Sequence, residues 1–141
     1  MGTETKVFET DVRVRYQETD QMGVVYHANY LVWFEVGRTS LIRELGYTYS
    51  DLEKKGIILP VVEVHANYRA PAHYEDELTI RSYVQEMTGS KLVFGYEVYR
   101  ESDEKMLTTG HSKHIWCSKE MKRINLEKLY PEIYQVLTKA L

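Results

Sequence analysis

The sequence predicts a single α+β domain in which one long helix packs against a five-stranded antiparallel sheet. Residues 29–45 repeat apolar side chains at helical spacing, and five other segments have the apolar or alternating pattern of strands. The links between the last strands are short, which indicates antiparallel neighbours. Helix on sheet is a stable layer arrangement, and 141 residues are enough for one core, so residues 1–141 are predicted to form one domain.

The first strand and the long helix enclose the most informative stretch of the chain. Residues 8–16 alternate apolar and charged side chains, which predicts a half-buried strand ending at Tyr16. A loop follows, in which Gly23 suits a tight turn. The helix of residues 29–45 comes next. Its internal Gly37 costs about 1 kcal/mol relative to alanine, which suggests a close approach of another element there.

The remaining elements are predicted from caps, turns and alternation. A short helix is predicted over residues 50–55, with Ser50 as its N-cap. The four further strands are predicted in residues 57–69, 78–85, 92–98 and 106–117. The segment 88–90, Thr-Gly-Ser, indicates a hairpin turn. A last helix is predicted over about 125–140, with Asn125 as its cap. The apolar stripe of that helix would consist of Leu129, Ile133 and Leu137.

Composition and charge argue against several classes of function. Lys plus Arg number 18 and Asp plus Glu 21, whereas nucleic-acid-binding domains usually carry a basic excess. No apolar run approaches the ~18 residues of a membrane span. Cys117 is the only cysteine, so we expect no internal disulfide, a reducing compartment and a cytoplasmic protein. The 12 tyrosines favour an oligomer, because aromatic side chains are enriched at interfaces.

Asp20 and His27 are the candidate catalytic residues, because they precede the predicted long helix. A helix start offers unpaired N–H groups and a partial positive charge, which can hold an oxyanion. A carboxylate just upstream could attack a carbonyl held there, or activate a water to do so. His27 could contribute its ring or its backbone N–H. Each residue also has a structural interpretation, Asp20 as a cap or turn former and His27 as an ordinary polar residue.

Other candidate sites have less support. His111 and His114 are three residues apart on a predicted strand, so their side chains point to opposite faces, and we expect no metal site. Glu35 is the one acid in the apolar part of the long helix. It forms either an ion pair with Arg38, three residues on, or a buried acid that would be the second choice for catalysis. No P-loop or dinucleotide-binding glycine pattern occurs.

The stretch RVRYQETDQMGVVYHANY, from Arg13 to Tyr30, resembles the signature of the 4-hydroxybenzoyl-CoA thioesterase family, and most closely its YbgC-like acyl-CoA thioesterases. Arg-Val, Thr-Asp, Gly-Val-Val-Tyr and Asn-Tyr stand at the family spacing, and the similarity covers about residues 7–120. The resemblance implies the hotdog fold, a curved antiparallel sheet wrapped round one long helix. It also implies a homodimer or homotetramer with active sites at the subunit interface, without metal or cofactor.

The same match implies a role for each site residue. Asp20 would be the essential carboxylate, His27 the helix-start residue of the YbgC-like branch, and Tyr16 a further site tyrosine. The implied function is hydrolysis of an acyl-CoA thioester, with Asp20 as nucleophile or general base. Two alternatives stay open: a non-catalytic acyl-CoA-binding module, and a hotdog dehydratase or hydratase, although the pattern at Asp20 does not fit the latter enzymes.

The CoA half of such a substrate is a polyphosphorylated anion and should meet a local basic patch. The turn at Ser90 and Lys91 is the first candidate, because exposed N–H groups beside a lysine suit phosphate. Arg69 is the next candidate. The other basic candidates are Arg81, Arg100 and Lys113. The sequence fixes neither the acyl chain nor the choice between CoA and an acyl-carrier protein.

Overall fold

The structure, a computed structural model, describes residues 6–141. Within them, five strands form one antiparallel sheet in the order β1-β3-β4-β5-β2. The strands are β1 Phe8–Arg13, β2 Val61–Tyr68, β3 Glu77–Met87, β4 Lys91–Arg100 and β5 Lys105–Ile115. The helices are α1 Asn29–Glu44, α2 Tyr49–Lys54, α3 Leu126–Leu129 and α4 Pro131–Leu137. The predicted α+β class, with five strands and one long helix, is confirmed.

The long helix α1 packs across β1 and β3, and its buried side chains form much of the core. Gly37 is the point of closest approach. A Cβ added there would lie 3.0 Å from Cγ2 of Ile80 on β3, which is tighter than ordinary packing. The Ser82 hydroxyl also donates a hydrogen bond to the Gly37 carbonyl at 3.0 Å. The predicted close approach at Gly37 is therefore confirmed, with the sheet as the partner.

The first strand ends earlier than predicted. Strand β1 stops at Arg13, and Tyr16 begins a short 3₁₀ turn instead of extending the strand. The cause is Glu18, whose carboxylate is buried and accepts a hydrogen bond from the Arg15 backbone N–H at 2.8 Å. This local bond turns the chain away from the sheet, and it brings the loop with Asp20 towards the start of α1.

Two further boundaries differ from the prediction. Helix α2 is capped by Thr48 and not by Ser50: the Thr48 hydroxyl accepts from the Asp51 N–H at 3.0 Å, and the Asp51 carboxylate accepts from the Thr48 N–H. The predicted single C-terminal helix is divided in two. Asn125 does cap α3, but Pro131 disfavours helical geometry at the residue before it and starts α4.

The division of the C-terminal helix changes which side chains are buried. Leu129 is 60% exposed, whereas Ile133 and Leu137 belong to the core. The first turn of α3 rests on the predicted hairpin turn, because the Leu126 N–H donates to the Gly89 carbonyl at 2.7 Å. The C-terminal segment therefore closes the end of the sheet at which β3 turns into β4.

Strand β2 is the edge of the sheet next to β5, and its apolar side chains lack cover. Val61, Val62, Val64 and Tyr68 are 44–50% exposed. The pairing of β2 with β5 is irregular between Val61 and Glu63, next to Pro60, as the proline predicted. Within residues 6–141, no helix has the length and apolar character needed to cross a membrane.

Candidate active site

The loop that carries Asp20 is a tight, fully hydrogen-bonded turn. The Asp20 N–H donates to the Val24 carbonyl at 2.8 Å, and the Gly23 N–H donates back to the Asp20 carbonyl at 3.1 Å. Gly23 has a φ of +81°, which favours glycine at this position. The Asp20 Oδ1 atom accepts the Met22 N–H at 2.8 Å. Among residues 6–141 no donor binds the other carboxylate oxygen, so Oδ2 is available for chemistry.

This loop is joined directly to the start of α1. The Glu18 carbonyl accepts two hydrogen bonds, from the Tyr26 N–H and from the side-chain amide of Asn29, both at 2.9 Å. Asn29 is the first residue of α1. Two hydrogen bonds to one carbonyl therefore connect the carboxylate loop to the helix start.

The two amides just before α1, those of His27 and Ala28, are free donors. Ala28 is the N-cap and supplies no capping side chain. Among residues 6–141, no oxygen accepts a hydrogen bond from the backbone N–H of His27 or Ala28. Unpaired N–H groups at a helix start carry partial positive charge and can bind an anionic oxygen. Thr19 adjoins Asp20, and Val25 is two residues before His27. The pairing of Thr19 with Val25 therefore brings the Asp20 loop towards these donors.

A cavity of about 300 Å³ opens beside these donors, between α1 and the end of β2. Its lining includes His27, Tyr30, Tyr68, Arg69 and Pro71. The Tyr68 hydroxyl donates to the His27 carbonyl at 3.0 Å, and the Tyr30 hydroxyl accepts the Ala72 N–H at 3.0 Å. Burial raises the pKa of Tyr30 and of Tyr68, so both remain neutral hydroxyls near neutral pH.

The structure brings some predicted site residues together. His27 and Arg69 line the same cavity. Tyr16 lies one turn before Asp20, since its carbonyl accepts the Thr19 N–H at 3.0 Å. The Tyr16 ring is 75% exposed and meets the ring of Tyr74 edge-on, with 5.7 Å between centroids. Its direct role in the chemistry stays a prediction.

Other predicted residues lie elsewhere. Ser90 and Lys91 follow Met87, the end of β3 opposite to Glu77, and the ten residue steps from Glu77 to Met87 span about 33 Å. The Lys91 ammonium pairs with Glu86 at 3.1 Å. Within one chain this turn is remote from His27, and its contact with CoA stays a prediction.

The arginines among the CoA candidates differ in whether their guanidinium groups are free to bind an anion. Arg81 pairs with Glu9 at 2.7 Å, and Arg100 is held between Asp76 and Asp103. Arg69 forms no ion pair or side-chain hydrogen bond with residues 6–141. It is therefore the basic candidate that both reaches the cavity and has free donors.

Glu35 is not a buried acid. Its side chain is 68% exposed and lies 3.7 Å from the Arg38 guanidinium, so the ion-pair interpretation is confirmed and the buried-acid alternative is wrong. His111 faces Glu63 at 3.2 Å, whereas His114 is buried and contacts Ser112 at 2.7 Å. Within residues 6–141, no three histidine, cysteine or acidic side chains converge on a common metal position.

Sequence reasoning missed the contacts of Asn29 and Tyr68. The Asn29 amide binds the Glu18 carbonyl, and an amide side chain in the first turn of a helix commonly binds backbone nearby, so its position was a usable signal. Tyr68 lies 41 residues from the His27 carbonyl that it contacts. No local pattern could have indicated that contact.

Comparison with known proteins identifies the family. Residues 14–137 match the thioesterase-like superfamily. The chain is 44% identical over 135 residues to the putative acyl-CoA thioesterase YneP of Bacillus subtilis, covering 95% of this chain and 97% of that protein. The chain belongs to the thioesterase-like superfamily. The resemblance found in the sequence is thereby confirmed.

Two further comparisons support membership of this family. The chain is 37% identical over 90 residues to the acyl-CoA thioester hydrolase YbgC of Escherichia coli, covering 64% of this chain and 67% of that protein. A DHNA-CoA thioesterase structure from Staphylococcus aureus superposes with a TM-score of 0.89 at 35% identity, covering 94% of this chain and 89% of that chain. The hotdog thioesterase fold predicted from the sequence is confirmed.

Proposed function

We propose that this thioesterase hydrolyses acyl-CoA thioesters, with Asp20 as nucleophile or general base and the amides of His27 and Ala28, just before α1, as the oxyanion site. One observation carries the proposal. The Asp20 carboxylate has one free oxygen, and the loop that holds it leads to two unpaired amides, those of His27 and Ala28. The names of the relatives YneP and YbgC support an acyl-CoA substrate.

The proposed reaction begins with the thioester carbonyl oxygen accepting hydrogen bonds from the His27 and Ala28 amides. The Asp20 Oδ2 atom attacks the carbonyl carbon, the carbon–sulfur bond breaks, and the thiolate leaves and takes up a proton. Water then cleaves the mixed anhydride and restores the carboxylate. In the general-base variant, Asp20 instead takes a proton from the attacking water. The amides stabilise the negative oxygen in both variants.

The test is the substitution Asp20→Asn. The asparagine oxygen can still accept the Met22 N–H, so the turn should be preserved while the nucleophile or base is lost. We expect kcat to fall by about 10²–10⁴-fold in a thiol-release assay with acyl-CoA thioesters. The matched control is Asp11→Asn, an exposed carboxylate on β1. Near-normal turnover in Asp20→Asn would reject the role of this carboxylate.

A binding assay separates this enzyme from a non-catalytic acyl-CoA-binding module. Isothermal titration of the wild-type chain with an acyl-CoA measures binding, and thiol release measures hydrolysis. We expect both. Binding without thiol release, across a panel of acyl lengths, would favour the binding module instead.

We propose Arg69 as a contact for the CoA half of the substrate. It lines the cavity beside His27, and its guanidinium donors are free to bind phosphate or pantetheine oxygens. Arg69→Gln should raise KM with little change in kcat. Lys91→Gln is the comparison, because Lys91 lies at the other end of the sheet. A larger KM increase in Lys91→Gln would favour the hairpin turn, reached from another subunit.

A second copy of this chain is the proposed partner, in a homodimer or homotetramer. The exposed apolar side chains of β2 support it, because an uncovered edge strand with Val61, Val62 and Val64 on its surface favours association. The site lies beside that strand. Light scattering after size exclusion should give at least twice the mass of the 16.6 kDa chain. A monomer with full activity would contradict the proposal.

A further inference from the structure

A polar cluster beneath α1 has no part in the proposed reaction. The Arg38 side chain is only 13% exposed, and its one carboxylate neighbour within residues 6–141 is Glu35 at 3.7 Å, which is itself 68% exposed. The guanidinium lies within reach of the Tyr49 and Tyr96 hydroxyls, and these two oxygens and Glu35 are the acceptors beside it among residues 6–141. A largely buried guanidinium has five N–H donors and is costly to leave unpaired.

The hydroxyl groups around Arg38 do not provide an acceptor for each of its N–H groups. The Ser112 hydroxyl is already engaged by the Tyr96 hydroxyl at 2.5 Å and by the His114 ring at 2.7 Å. The Tyr49 hydroxyl is fully buried, has no hydrogen bond of standard geometry among residues 6–141, and has Arg38 as its neighbouring donor. Burial raises the pKa of Tyr49 and outweighs the effect of Arg38, which lowers that pKa. The five N–H donors of Arg38 therefore outnumber the phenol and carboxylate groups beside it.

Arg38 also lines a cavity of about 270 Å³. Four of the other lining side chains are apolar, Leu31 and Val32 of α1 and Val61 and Val64 of β2, and the polar ones beside Arg38 are Glu35 and Ser112. The side chains of Val32, Val61 and Val64 are about half exposed. This is a site that can hold an apolar chain with a polar end.

The space between α1 and β2 forms a groove that holds the cavity at His27 and, further along α1, the separate cavity at Arg38. Both cavities lie between α1 and β2, with Tyr30 and Tyr68 at the first and residues 31–38 and 61–64 at the second. Strand β2 therefore runs opposite to α1 along one groove. Eight residues of helix from Tyr30 to Arg38 rise about 12 Å. A thioester carbon held at the His27 amide would direct its acyl group along this groove.

We propose that Arg38 is a specificity-determining residue that binds an oxygen at the far end of the acyl group. This inference rests on the proposed thioesterase function. A hydroxyl or carboxylate at the chain end accepts from Arg38, whereas a methyl end leaves the remaining donors of the guanidinium without an acceptor. A site that hydrogen-bonds a substrate group rejects an analogue lacking that group, because polar groups of the site are then left unpaired. The substrate class is thus an acyl-CoA with an oxygen-bearing distal group.

The test compares acyl-CoA thioesters of matched length that end in methyl, hydroxyl or carboxylate. The wild-type enzyme should show a kcat/KM about tenfold or more higher for at least one oxygen-ended substrate than for the methyl-ended one. Arg38→Met should lower that ratio by about tenfold or more. Arg43→Met, an exposed arginine of α1, is the matched control and should keep the wild-type ratio.

Each outcome decides the inference. A wild-type enzyme without end-group preference overturns it, and needs no variant to fold. An Arg38→Met enzyme that changes all substrates alike also overturns it. Loss of preference for hydroxyl alone, or for carboxylate alone, supports it and identifies the distal group. If wild type hydrolyses the methyl-ended thioester best, only the role of Arg38 fails. If wild type hydrolyses no thioester, the proposed function itself fails.

Discussion

The buried histidine of β5 should make the stability of this thioesterase depend on pH. His114 is 1% exposed, and its Nδ1 atom lies 3.2 Å from the Leu59 carbonyl. A carbonyl only accepts, so Nδ1 carries the hydrogen, and the neutral Nε2 accepts from the Ser112 hydroxyl. Burial lowers the pKa of His114 from 6.5 to about 4, and the positive charge of Arg38 acts in the same direction.

The direction of the pH dependence follows from the protonation of His114 in the folded and in the unfolded chain. Between pH 6.5 and about 4 the unfolded chain binds a proton at His114 and the folded chain does not. The free energy of unfolding therefore falls as the pH falls through this range. The shift corresponds to about 3 kcal/mol when the pH reaches the folded pKa. Above the ordinary pKa of histidine, this group contributes no pH dependence.

Urea denaturation across this range measures the effect. The exposed carboxylates with lowered pKa values, Asp51, Glu77 and Asp103, lose their contributions only near or below their ordinary pKa values of 3.8–4.5, so the upper part of the range reports His114. His114→Gln should remove most of the slope. His65→Gln, an exposed histidine of β2, should retain it. Equal slopes in wild type and His114→Gln would refute the reasoning.

Three further outcomes are expected. Gly37→Ala should lower the free energy of unfolding by about 1–2 kcal/mol, because crowding against Ile80 exceeds the gain in helix propensity; a stabilised variant would contradict the close approach. Asn125→Ala should cost about 1 kcal/mol in urea denaturation through loss of the α3 cap, and an unchanged midpoint would show that the cap is dispensable. Tyr68→Phe should lower kcat about fivefold in the thiol-release assay, with KM little changed, because one hydrogen bond to the His27 carbonyl is lost; unaltered kcat would remove Tyr68 from the site.

Most regular elements of the fold could be predicted because one face of each is buried, whereas β2 has the same alternation although its side chains are mostly exposed. Alternation located the strands, and the wide apolar surface of residues 29–45 located α1. Boundaries set by single side-chain contacts could not be predicted in the same way. Glu18 ends the first strand by binding the Arg15 amide, and Thr48 takes the cap assigned to Ser50. The break at Pro131 was visible in the sequence, but the apolar spacing across it predicted one continuous helix.

The site was predictable only as far as it is local. Asp20 and His27 precede one helix, so their placement near its start follows from the order of the chain. The separation of Lys91 from Arg69 depends on which end of the sheet each occupies, and that depends on the pairing of strands distant in sequence. The buried donors at Arg38 were equally hidden, because an arginine three residues after a glutamate has the pattern of an ordinary surface ion pair.

Tyr68 stands on the edge strand and also donates from its hydroxyl to the His27 carbonyl, just before the long helix. In the proposed dimer, a second copy docked along β2 would restrict this tyrosine. The proposal then predicts that association of subunits and turnover are linked through Tyr68. Specific activity measured over a dilution series should decline at the concentration where the subunits separate.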